Sequence, residues 1–135
     1  MYTEITSIEE AIKRYKEPFD LQKTKDALSF LPPAISRGMI ALATLQIVVW
    51  AVNNDKQDEP EFNPDYNDSD QEKWAPWYVG GDRSASGFRF VVSSYGWTGT
   101  GADGGARLAL KDEDRANHMN KYFQEQYKEL LLILD

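Results

Sequence analysis

The sequence predicts an α+β fold: N-terminal helices with a central buried helix, a small antiparallel β-sheet of about two to three strands, and a C-terminal amphipathic helix. Three observations carry that class. Apolar residues recur at three- and four-residue intervals near both ends of the chain. A long uncharged run, GMIALATLQIVVWAVNN over residues 38–54, follows the first of these helical patterns. Two stretches, GFRFVVSSY over 87–95 and ARLALK over 106–111, alternate apolar and polar residues around a glycine-rich segment. With 135 residues, the chain is expected to form a single domain over 1–135.

Ser7 opens the first helix. Glu10 stands three residues on and completes an S-x-x-E capping box. Ile8, Ala11, Ile12 and Tyr15 then share one face, and Pro18 stops the helix. Asp20 caps a second short helix, with Leu21, Leu28 and Leu31 inward and lysines outward, until Pro32 and Pro33 break it. A third helix is expected from about Ala34 to Val52. It is apolar nearly all round and belongs at the centre of the core. Its β-branched run, Ile47 to Val49, weakens the helical signal at that end.

Character changes after Asn53. The stretch NNDKQDEPEFNPDYNDSDQEK is polar, acidic and rich in turn formers, and reads as a loop over about 53–75. Phe62 and Tyr66 anchor it. Residues 75–79 read as a short edge strand, where Pro76 is tolerated. In 87–95, Phe88, Phe90 and Val92 fall on one face. In 106–111, Ala106, Leu108 and Leu110 point inward, and the two segments are expected to pair antiparallel across the glycine loop. Asp112 caps the last helix, where Ala116, Met119, Phe123, Tyr127, Leu130 and Leu134 form an apolar stripe.

Charge is unevenly placed. The net charge is −7. Residues 1–50 hold six acids and six bases, residues 83–135 hold seven of each, and residues 51–82 hold nine acids against Lys56 and Lys73. An acidic surface repels phosphate backbones, so no direct nucleic acid binding is expected. The run over 38–54 sits at the short edge of what crosses a bilayer, and Thr44, Gln46, Asn53 and Asn54 dilute it; the expectation is a soluble core helix and no membrane. The start, MYTEITSIEEAIKRY, carries acids early and lacks an apolar stretch, so no signal peptide is read there. A cytoplasmic or virion-associated protein is expected.

Each candidate site has a plain structural role that competes with it. Gly99-Thr-Gly101-Ala-Asp-Gly104 spells G-x-G-x-x-G, but a strand pattern follows it where a dinucleotide site needs a helix N-terminus. The expectation is a hairpin loop and no cofactor. DYNDSDQE over 65–72 resembles a calcium loop, yet Asp70 stands where glycine is needed and Pro76 where a bidentate glutamate is needed. His118 is the lone histidine and the chain has no cysteine, so no metal site is expected; a surface or half-buried helical position suits His118 better. No G-x-S-x-G occurs and no nucleophile is nominated, so no catalytic residue is assigned. The feature that remains is a set of rings: Phe62, Tyr66, Trp74, Trp77, Tyr78 and Trp97. They either pin the acidic loop to the body or stay open to grip a ligand or partner.

From about residue 40 onward the chain resembles a family of uncharacterised proteins from Bacteroides-type gut bacteria and their prophages. The segments that carry the resemblance are AVNND, EFNPDYNDSDQEKWAPWY, SGFRF and ARLALKDEDRANHMNKYFQEQYKELLL. The resemblance implies an association with mobile genetic elements and no activity. The functional expectation is a non-catalytic binding or structural module that meets a protein with a basic surface through an acidic-aromatic face. A small carbohydrate-binding protein or glycosidase with exposed tryptophan platforms is the alternative.

Overall fold

A computed structural model describes residues 1–65, 67, 68, 70–80, 88–95 and 108–131, with side chains outside that description at 77–80 and 88–95. A short 3-10 turn, Tyr2–Glu4, leads into helices α1 (Ile8–Arg14), α2 (Leu21–Ala27) and α3 (Pro33–Asn53). Strands β1 (Trp74–Gly80) and β2 (Phe88–Tyr95) follow, and α4 (Glu113–Leu131) closes the described chain.

Local chemistry sets the helix starts. Ser7 Oγ accepts from Glu10 N at 3.2 Å, and Asp20 Oδ1 accepts from Lys23 N at 3.0 Å. The Glu10 carboxylate turns to Arg14, whose Nε donates at 2.9 Å one helical turn on. Pro33 sits at the first position of α3, where its missing N–H costs nothing, but the expected proline stops do not end the earlier helices: α1 ends at Arg14, ahead of Pro18, and α2 ends at Ala27, ahead of Pro32. Asp112 Oδ1 accepts from Arg115 N at 2.8 Å, and Glu113 and Asp114 lie in the first turn of α4. Helix α4 departs from helical geometry at Phe123 (φ −128°, ψ 22°).

The predicted α+β class is overturned. The described chain is mostly helical, and helices supply most of its core. The strands among the described residues are β1 and β2, one antiparallel ladder from Trp74↔Tyr95 to Gly80↔Phe88, with a bulge between Trp77 and Tyr78. Among the described residues the expected pairing of 87–95 with 106–111 is not found: β2 lies against β1, and residues 87, 106 and 107 lie outside the description. Leu110 makes one isolated bridge to Trp74, with N···O distances of 2.8 Å both ways. Alternation in ARLALK does not select one face either, because Leu108, Ala109 and Leu110 are all buried. Three consecutive apolar residues held between α3, β1 and α4 satisfy burial without a strand. The glycine loop itself lies outside the described residues.

The core is where α3 meets α4. Leu45, Val48 and Val52 of α3 and Ala116, Met119, Phe123 and Tyr127 of α4 are essentially inaccessible, joined by Ile5, Ala11, Leu108 and Leu110. The β-branched run Ile47–Val49 is helical and buried, so tertiary packing outweighs its weak helical preference. Only the second half of α3 fits the expected central position. Its first half leaves Ile35 and Met39 open at 52% and 46% exposure, and Phe30, ahead of the helix in sequence, is 79% exposed. By length and composition α3 also qualifies as a membrane span.

Candidate functional site

The polar end of α3 organises one side of the molecule. Asn53 is buried: its Nδ2 donates to Ala109 O and its Oδ1 accepts from Lys111 N, both at 3.0 Å. Asp55 lies just past the helix with a fully buried side chain. It meets Arg115 Nη2 at 2.7 Å and accepts from Tyr2 N at 2.7 Å. Arg115 also donates through Nε to Val52 O at 2.9 Å, pairs with Asp112, and stacks 4.4 Å from the Tyr2 ring centroid. Burial alone raises Asp55; the Arg115 and Tyr2 bonds outweigh it and hold the carboxyl below its usual range. Arg115 is likewise disfavoured by burial and raised on balance by Asp55 and Asp112.

His118 is part of the same knot. It is buried, which corrects the surface or half-buried position expected from sequence. Its Nε2 lies 2.7 Å from Ile5 O, and since a carbonyl only accepts, Nε2 carries the proton and donates. Tyr2 and Tyr122 flank the ring at 5.3 and 4.8 Å between centroids. Burial lowers the His118 pKa, with the Ile5 bond opposing. These residues bind the N-terminus to α4, and no spacing rule in the sequence announces them.

The acidic segment is fastened to this frame by cations from elsewhere in the chain. Glu59 meets Lys111 Nζ at 3.0 Å, and Glu61 meets Lys16 Nζ at 2.8 Å. These bonds lower both carboxyls. Phe62 N donates to Asn54 Oδ1 at 2.8 Å. Two Asx turns follow: Asn67 N to Asp65 Oδ1 and Asp70 N to Asp68 Oδ1, each 2.9 Å. Lys73 is buried beneath them, and its Nζ donates to the carbonyls of Asp68 and Gln71 at 3.0 and 3.1 Å. An ammonium therefore engages carbonyls of the segment that resembles a calcium loop. Among the described residues no group of three His, Cys, Asp or Glu is placed to hold a metal. Asp58, Asp65, Asp68, Asp70 and Glu72 face solvent.

The rings singled out from sequence divide. Phe62 is half-buried. Trp74 is half-buried and packs against the core, so it anchors β1. Trp77 and Tyr78 are backbone members of β1, and their side chains, like Tyr66 and Trp97 entirely, lie outside the described residues. One ring was missed. Trp50, in the last turns of α3, donates Nε1–H to Glu61 Oε1 at 3.0 Å and meets the Tyr15 ring edge-on at 5.3 Å. Lys16 Nζ stands 5.8 Å from its centroid. Trp50 sits inside the apolar run 38–54, where a tryptophan reads as core. The signal available was its place four residues before Asn54, on the turn where the helix leaves the core. No protein-family model, curated protein or solved structure matches the chain.

Proposed function

We propose that this protein is a non-catalytic binding module that offers its acidic segment, residues 55–73, to a protein with a basic surface. The observation that carries this reading is the fastening of an acidic segment whose outer carboxylates remain open. Asp55, Glu59 and Glu61 tie it to Arg115, Lys111 and Lys16, while Asp65, Asp68, Asp70 and Glu72 stay exposed on turns braced by Lys73. A segment already ordered loses less entropy on association, and a concentrated negative field speeds encounter with a cationic partner. Trp74 packs against the core, which leaves it poorly placed as a flat sugar platform.

The test is calorimetric titration with a lysine- and arginine-rich peptide at about 50 and about 300 mM salt. The triple variant Asp68→Asn/Asp70→Asn/Glu72→Gln keeps the turn acceptor at residue 68 and removes three charges. A control, Glu9→Gln/Glu17→Gln/Glu125→Gln, removes three charges from exposed positions elsewhere. Tighter binding by the control than by the first variant supports the reading. Equal weakening by both shows that net charge alone attracts the peptide and defeats it.

A further inference from the structure

We infer that the corner built from Trp50, Tyr15 and Glu61 recognises a lysine ammonium, and that Lys16 fills it in the free protein. The inference rests on the proposed basic partner and names the contact that selects it. Glu61 Oε1 accepts from both Lys16 Nζ at 2.8 Å and Trp50 Nε1 at 3.0 Å. The same ammonium lies 5.8 Å from the Trp50 ring centroid, and Tyr15 braces that ring edge-on. A carboxylate oxygen beside an aromatic face is the chemistry that holds an alkylammonium. Oε1 takes both donors, so Lys16 is met at a single oxygen. That suits an ammonium better than the two-pronged guanidinium.

Lys16 can leave at little cost. It is an exposed residue just beyond the end of α1, and its side chain is 46% accessible beside a Glu61 that is 41% accessible. Exposed ion pairs of this kind add little stability. A lysine arriving on a basic segment would bring further contacts, because Glu61 is continuous along the chain with Asp58, Glu59 and Asp65. Charge complementarity therefore favours exchange of the internal ammonium for an external one.

The test follows the Trp50 indole N–H resonance of the full chain, assigned through Trp50→Phe. The probes are N-acetyl-lysine methylamide, its arginine counterpart, and the uncharged norleucine counterpart. The lysine probe is expected to shift the Trp50 resonance saturably, with a midpoint about fivefold lower in Lys16→Ala than in the unaltered chain. Adding Glu61→Gln to Lys16→Ala should abolish saturation, and norleucine should give none. Equal midpoints with and without Lys16, an equal response to norleucine, or tighter binding of arginine would each overturn the inference. The readouts are separable. Loss of the lysine response while the basic peptide still prefers the Asp68–Glu72 carboxylates removes the corner and leaves the acidic face. A preserved lysine response with no such preference does the reverse.

Discussion

Replacing Arg115 by methionine is expected to be the most damaging single change at the polar end of α3. The stem is kept and the charge is lost. Asp55, with a fully buried side chain, then faces no cation and retains the Tyr2 N–H at 2.7 Å. Val52 O loses its donor, and the Tyr2 ring loses the guanidinium stacked 4.4 Å from its centroid. Breaking a buried pair from one side costs about 3–5 kcal/mol, because an uncompensated charge stays behind. For a domain of this size that lowers the thermal midpoint by roughly 10–20 °C. Urea unfolding followed by far-ultraviolet circular dichroism gives the free energy directly. The double variant Asp55→Asn/Arg115→Met removes the stranded charge and keeps an acceptor for Tyr2 N, so it should regain about half of the loss. A loss below about 1 kcal/mol for Arg115→Met, or a double variant as poor as the sum of the singles, would refute the reasoning.

Three further outcomes are expected. Asn53→Ala strips partners from Ala109 O and Lys111 N and should cost about 2–3 kcal/mol by urea unfolding, against near neutrality if water replaces the amide. Stability should fall in two steps on acidification. Asp55 and His118 both have folded pKa values below their unfolded ones, so each contributes stability above its unfolded value and loses it as pH falls through the folded value. The His118 step begins near about pH 6.5 and the Asp55 step below about pH 4. His118→Gln should erase the upper step alone, and urea midpoints that stay level between about pH 7 and 5 would contradict it. Along α3, Ile35→Ser at a 52% exposed site should change stability by less than about 0.5 kcal/mol, whereas Leu45→Ala in the core should cost about 2–5 kcal/mol.

The helices were legible because their signals are local. Ser7, Asp20 and Asp112 cap where their side chains predict, and the stripe from Ala116 to Tyr127 is the buried face of α4. Strand pairing was not legible, since alternation says which face is apolar and nothing about the neighbour. Leu108 and Leu110 alternate with Ala109, yet all three are buried, so the pattern in ARLALK reflected burial on every side. The exposure of Ile35 and Met39 was equally hidden, because uniform apolarity in α3 gives no direction to its buried half. At the candidate site, the acidic segment could be read from its charge. Its fastenings could not, because Asp55 meets Arg115 across 60 positions and Glu61 meets Lys16 across 45.

Those long-range pairs give the acids of residues 55–72 two jobs. Asp55, Glu59 and Glu61 neutralise Arg115, Lys111 and Lys16, and so hold the segment down. Asp58, Asp65, Asp68, Asp70 and Glu72 make no ion pair among the described residues, and their field points outward. Buried Lys73 lets them gather, because its ammonium is held by two carbonyls beneath the turns and offsets part of their mutual repulsion. Anchoring and outward charge therefore rest largely on different carboxylates of one segment, with Glu61 alone placed in both roles. Removing Asp55 should unfold the end of α3, whereas neutralising the outer acids should leave the fold intact or relieve repulsion slightly. A binding face separated in this way can change its charge pattern without endangering the core that carries it.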